Sequence, residues 1–311
     1  MNTLYFAFST VFPLCFTLIL GYLARMLKWL SEDASNQMNK VCFYIFLPTS
    51  LFMSVYKSQL KIIDFKLIAF GLVIVFLFFL LVFAWVHHTS YASITKGVMI
   101  QGMARSNFIL FGIPLTASFL GSDLVGTTAV LIAFVIPLYN VLSIFALQLY
   151  QDKGSFHLLS VLKKSLTNPL IIGTILAFIC ELLTIRLPSF LIASLDSVSS
   201  AATPLALFLL GSNFVFAKLG SNKKLLTQVV CAKLVLMPAI VLGLAYLLGF
   251  KGASLIALLA MSASPTAVSS YTMAQSMHMD DEAAGQIVVI TTILSIFTIF
   301  VWIMIMKTYM L

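Results

Sequence analysis

Ten runs of about 20 mostly apolar residues follow one another along the chain, near 4–24, 38–56, 64–86, 97–120, 124–149, 168–184, 189–214, 224–249, 252–277 and 283–308, separated by short polar connections. Runs of that length and apolarity predict ten bilayer-spanning helices, numbered here as spans 1 to 10. Spans 4 and 9 depart from the pattern. They read GVMIQGMARSNFILFGIPLTASFL and GASLIALLAMSASPTAVSSYTMAQSM, and each carries a polar cluster near its middle. A broken helix exposes backbone groups that lipid cannot satisfy, so it is stable only when buried in protein or lining a polar cavity. Two such helices in corresponding halves of a chain point to a transporter.

Composition agrees with an all-α polytopic membrane protein: 61% of the 311 residues are hydrophobic and 9% charged. No basic residue precedes the apolar run of span 1 and no small-residue cleavage site follows it, so it is expected to remain as a helix. Cys15, Cys42, Cys180 and Cys231 all fall inside apolar runs without paired spacing. They read as packing residues, and no disulfide framework, metal site or cofactor is expected.

The net charge of +8 is spread over short loops, which argues for orientation in a membrane and against nucleic acid as a partner. Loops after the odd-numbered spans carry Arg25, Lys28, Lys40, Lys96, Lys153, Lys163, Lys164, Lys218, Lys223 and Lys224. The opposite side carries Lys57, Lys61, Lys66, Arg186, Lys251 and Lys307. The positive-inside rule then places both termini outside a cell membrane and the loop after span 5 in the cytoplasm.

Five spans per half give halves of opposite orientation, and the prolines support a repeat. Pro13 and Pro48 lie 35 residues apart, as do Pro169 and Pro204, at an offset of 156. Ser106 aligns with Pro265 at an offset of 159, which also carries Gly126 onto Gly285. Residues 1–150 are expected to form the first inverted repeat, 151–167 a cytoplasmic linker and 168–311 the second repeat.

At the breaks, Ser264 before Pro265 is pushed out of helical geometry, so this pair is expected to close one half-helix and open the next. Ser106 is the expected cap in span 4. Each restarted half-helix would present free N–H groups and partial positive charge, which attract anions. Arg105 adds a full charge costing roughly 2.5 to 3.5 kcal/mol on insertion scales. A substrate carboxylate could balance it, or half-helix carbonyls could hold it; the residues alone leave both readings open. Asn107 offers a donor and an acceptor beside the break, and Thr266 occupies the symmetric position. Asn140 in span 5 and Asn213 in span 7 read as interhelical hydrogen-bonding residues, with Asn140 also counted among the candidate site residues. Lys233, about eight residues into span 8, is expected to snorkel to the interface. Gly112 and Pro114 are expected to kink the second half of span 4.

The segments SNFILFGIPL, ASPTAVSSYTMAQ and FLPTSLF resemble the auxin efflux carrier family over essentially the whole chain. The resemblance implies two inverted five-helix repeats, helices 4 and 9 crossing at the midplane, a scaffold domain of helices 1, 2, 6 and 7, and a transport domain of helices 3–5 and 8–10. It also implies that Asn107 contacts a substrate carboxylate and that Pro265 is the crossover proline of helix 9. Plant members, which export auxin, have proline at the position of Ser106 and a long central loop absent here. The compact form is similar to bacterial members, which include malate and related organic-acid permeases.

The function expected is therefore a secondary transporter, not an enzyme, moving a mono- or dicarboxylate by alternating access. Its site residues would be Arg105, Ser106, Asn107, Ser264, Pro265, Thr266 and Asn140. The partners are the organic anion and the lipid bilayer, with a homodimer left open. A crossed-helix cation or proton antiporter would need a carboxylate at the crossing, and none is evident; a transporter-like sensor is the other alternative. His87, His88, His157 and His278 are expected near the membrane interfaces, and no HExxH or GxSxG pattern occurs.

Overall fold

A computed structural model describes residues 3–57, 64–109, 111–112, 115–116, 125–151, 167–214 and 222–309. The helices are α1 (Thr3–Met26), α2 (Glu32–Tyr56), α3 (Phe65–His87), α4 (Ser93–Ala104), α5 (Val125–Gln151) and α6 (Pro169–Leu182). They continue with α7 (Ser189–Asn213), α8 (Lys223–Leu247), α9 (Gly252–Ala263), α10 (Ser269–Ser276) and α11 (Asp281–Tyr309). Among the described residues, six helices are long and apolar enough to cross a bilayer, namely α2, α3, α5, α7, α8 and α11. Span 4 is represented by α4 and a few residues beyond it, and span 9 by α9 and α10. Pro114 and residues 152–166 of the expected linker lie outside the described residues.

Local chemistry explains the helix starts. Ser31 Oγ accepts from the Ala34 amide at 3.2 Å, and Glu32 and Asp33 occupy the first turn, so α2 begins well before the apolar run at 38. Asp64 Oδ1 accepts from the Leu67 amide at 3.1 Å ahead of α3. Asn168 Oδ1 accepts from the Leu170 amide at 3.0 Å, with Pro169 at the first helical position of α6.

Two helices contain a π-helical stretch next to a proline: Cys42–Phe46 in α2, before Pro48, and Cys231–Leu236 in α8, before Pro238. Proline cannot donate to the carbonyl one turn earlier and crowds it, so the helix widens there. In α8 the carbonyl left over, that of Leu234, accepts instead from the Trp302 indole N–H of α11 at 2.9 Å.

α1 lies along α7, and α2 along α6. A Cβ on Gly21 would stand 1.9 Å from the Phe208 carbonyl oxygen, and one on Gly211 would stand 2.0 Å from that of Leu18. Only glycine lets these backbones approach so closely, the device by which membrane helices gain packing energy without a hydrophobic drive. The outer wall is apolar, with Phe76, Leu77, Leu80 and Leu81 of α3 among its exposed side chains. Cys231 is also exposed, which corrects its reading as a packing residue: it lies on the outer face of α8, while Cys42 is buried and Cys15 and Cys180 are half-buried.

Candidate functional site

The two interrupted helices meet. α4 ends at Ala104, and Arg105 takes an extended conformation (φ −91°, ψ 130°). α9 ends at Ala263, and Ser264 is extended too (φ −62°, ψ 146°). The segments run antiparallel and form a β-bridge between Ser106 and Thr266. The Asn107 amide donates to the Pro265 carbonyl at 2.7 Å. Side chains tie the same crossing: Thr266 Oγ1 donates to the Gly102 carbonyl at 2.7 Å, Gln101 Nε2 to the Ser270 carbonyl at 2.9 Å, and Thr291 Oγ1 accepts from the Thr266 amide at 3.2 Å. Each break therefore satisfies backbone groups exposed by the other, which is how non-helical backbone is tolerated at membrane depth.

This cross-pairing corrects the expected capping. Ser264 does not cap the next half-helix; its hydroxyl donates back to the Ala260 carbonyl. Pro265 is not the first residue of that helix, because residues 264–267 are used in the bridge and α10 starts at Ser269 behind Val268. Ser106 is likewise no cap: Lys233 Nζ and the Tyr139 hydroxyl, the latter at 3.4 Å, both point at its Oγ.

Arg105 is 5% exposed, and its guanidinium donates to Asn140 Oδ1 at 2.7 Å and Ser269 Oγ at 2.8 Å and touches Met273 Sδ. Its protein partners are neutral side chains rather than half-helix carbonyls. The ion pairs among the described residues, Arg25–Glu32, Lys57–Asp196 and Arg186–Glu181, do not involve Arg105. Lys233 is fully buried, so the expectation that it snorkels is wrong. It sits within the π-helical stretch of α8, on the face turned to α4 and α9, with the Ser262 carbonyl at 3.3 Å and Met237 Sδ at 3.1 Å.

A cavity of about 60 Å³ opens beside the crossing, lined by Arg105, Ser106, Asn107 and Ser269 together with Tyr139 of α5. Its opposite wall comes from α2 (Leu47, Ser50, Leu51), α6 (Leu170) and α7 (Thr203, Ala206). Of the expected site residues, Arg105, Ser106 and Asn107 line this cavity. Asn140 stands behind Arg105, and Ser264, Pro265 and Thr266 form the bridge rather than the lining. Ser269, Tyr139 and Lys233 were not anticipated. Two amide donors here are buried without a hydrogen-bond partner, Asn107 Nδ2 and Asn140 Nδ2. The Asn140 orientation is settled by chemistry, since a guanidinium only donates and must face the amide oxygen. Asn213 donates to Ser35 Oγ at 2.9 Å, an interhelical bond as expected.

A second, larger cavity of about 630 Å³ opens between α1, α2 and α7 on one side and α10 and α11 on the other, with Arg25, Asn36, Asn39, Asn213, Gln275 and Asp281 among its walls. Further buried polar atoms without partners lie on α2 and α10: Asn39 Oδ1, Thr272 Oγ1 and Ser270 Oγ.

A family model described as a membrane transport protein matches residues 6–303. An uncharacterized transporter from Methanothermobacter thermautotrophicus is 23% identical over 297 residues, covering 94% of this chain and 96% of the relative. An uncharacterized transporter from Methanocaldococcus jannaschii is 24% identical over 298 residues, covering 91% and 94%. Both organisms are archaea, so the compact form is not peculiar to bacteria.

Proposed function

The chain belongs to the auxin efflux carrier family of membrane transport proteins, and on that premise we propose that it is a secondary transporter of a small organic anion, a mono- or dicarboxylate. The observation that carries this reading is the lining of the crossing cavity: a guanidinium, a hydroxyl and an amide with an unpartnered NH2, and no carboxylate among the described residues. Buried donors without partners are costly, about 1–3 kcal/mol each, and an anion supplies the acceptors they lack. Arg105 supplies charge, Ser106 and Asn107 supply hydrogen bonds, and Asn140 and Ser269 hold the guanidinium in place. Ser264, Pro265 and Thr266 keep the two breaks joined, so that the site travels as one piece. The acid-free lining also disfavours the cation antiporter, since a bound sodium ion would need a carboxylate there.

The architecture that goes with this function is ten spans in two inverted repeats. The neighbour exchange in which span 1 lies along span 7 and span 2 along span 6 supports it, because an inverted repeat carries one pair onto the other. Spans 1, 2, 6 and 7 form the scaffold, spans 3–5 and 8–10 the transport domain, and the anion sits where they face each other. The large polar cavity is the cytoplasmic entrance of an inward-open state, with both termini outside. In proteoliposomes, flux of labelled malate, acetate and indole-3-acetate should reveal saturable uptake by at least one acid. Saturable uptake of sodium or of neutral solutes, with none of any acid, would reject the reading; saturable binding without flux would make the protein a sensor.

A further inference from the structure

The function above leaves one buried charge unused. Lys233 Nζ contacts Ser106 Oγ, and Ser106 lines the cavity whereas Lys233 does not. The other titratable groups on the elements packed around it are committed elsewhere or distant. On α4, Lys96 donates to the His87 carbonyl at 2.9 Å. On α5, Tyr139 points at the same serine and Tyr150 pairs with His87 Nδ1 at 3.0 Å. α9 carries no titratable residue. On α11, Asp281 and Glu282 lie in the first turn, bonded to Gln275 and Gln286, and Lys307 lies near the far end. On α8 itself, Lys223 and Lys224 begin the helix, Cys231 faces outward and Tyr246 is near its end. Arg105, the residue before Ser106, is the other buried cation among the described residues, and it has no acidic partner among them.

Buried cations without an anion among the described residues are costly, and these two side chains differ in how they can respond. A guanidinium keeps its proton under all ordinary conditions, whereas an amine can exchange one. The hydroxyl inventory supplies the route. Ser106 Oγ has one proton to give and two lone pairs to receive. Lys233 approaches it from within the protein, while Tyr139, which also lines the cavity, points at it from the cavity wall.

We propose, resting on the anion-transport reading, that Lys233 is a proton-coupling group of this transporter, taking up one proton as the anion enters and returning it as the anion leaves, with Ser106 as the relay. In the loading step a carboxylic acid in the cavity gives its proton to Ser106 Oγ while Ser106 gives its own to the neutral amine. The products are a carboxylate beside Arg105 and an ammonium at Lys233, so atoms and charge balance. Unloading reverses both transfers. Because anion and proton each favour the binding of the other, their uptake is linked and reciprocal.

The test is proton counting on the purified full chain in weakly buffered detergent solution, with a pH-indicator dye. Malate, citrate, acetate and indole-3-acetate are the added anions, and binding is read separately by thermal shift. The wild type should take up close to one proton for each anion bound. Lys233→Arg, with a permanent charge, should bind but take up none, and its flux in proteoliposomes should lose its dependence on an imposed pH gradient. Lys233→Met should bind about tenfold more weakly, also without uptake. Binding by the wild type without proton uptake overturns the proposal, as does equal uptake by a folded Lys233→Arg protein. If Lys233→Met does not fold, the other two measurements still decide. If none of the four anions binds, the anion-transport reading fails first and this one with it, an outcome separable because binding is read before protons.

Discussion

The seam between α1 and α7 and the crossing of the broken spans use opposite means to bring backbones together. At the seam, Gly21 and Gly211 remove side chains so that two intact helices touch, and the nearby hydroxyls of Ser35 and Ser212 bond each other at 2.7 Å. At the crossing the helices themselves are interrupted, an extended pair replaces them, and two amide NH2 groups remain unpartnered. Among the described residues of α1 and α7 no buried side-chain donor is left without a partner, so this seam has no use for a ligand. A crossing with buried donors to spare has a use for one under the proposed function, and this separates the two regions more clearly than hydrophobicity, which is high in both.

The largest effect should come from breaking the seam. Gly211→Val places atoms where the Leu18 carbonyl oxygen now sits, and the helices must separate. Overpacking of this kind costs roughly 1–3 kcal/mol or more. The expected result is a clear drop in melting temperature or loss of a monodisperse peak in size-exclusion chromatography, with transport lost as a consequence. An unchanged melt would mean that the seam is looser than the glycines imply.

Asn107→Ala should do the reverse. It removes the unpartnered donor and little else, so the melt should hold while flux falls by about 10- to 100-fold, the worth of a hydrogen bond to a charged group. Arg105→Lys keeps the charge but loses the planar guanidinium whose Nη2 donates to both Asn140 and Ser269 while Nη1 meets Met273, and flux should fall by about tenfold. Normal flux in either variant would shift the site away from the crossing and remove the contrast with the seam.

The crossing was legible in the sequence because polar side chains interrupt otherwise uniform runs, and ARSN and SASPT are the places where the runs fail. Its internal chemistry was less so. Capping rules describe a helix that restarts at once, so they assigned Ser264 and Ser106 to roles that the antiparallel bridge makes unnecessary. Lys233 was misplaced for a related reason. Snorkelling depends on which face of a helix a lysine occupies, and that face is set by packing against α4 and α9 and by the π-helical stretch before Pro238. Ser269 was missed because a small hydroxyl in a serine-rich stretch stands out only once Arg105 is seen to reach it.

The smallest effect sharpens the comparison from within the crossing. Thr266 Oγ1 holds the Gly102 carbonyl at 2.7 Å but does not line the cavity, so it should behave like a seam residue placed at the working end. Thr266→Val keeps the shape and removes one neutral hydrogen bond, at a cost of about 0.5–1.5 kcal/mol plus the unsatisfied Gly102 carbonyl. The melting temperature should fall by a few degrees while the apparent KM for the transported acid stays within about twofold, since the cavity donors are untouched. A KM raised tenfold with an unchanged melt would place Thr266 in contact with the solute and extend the working region through the bridge, and the division between holding and binding residues would have to be redrawn.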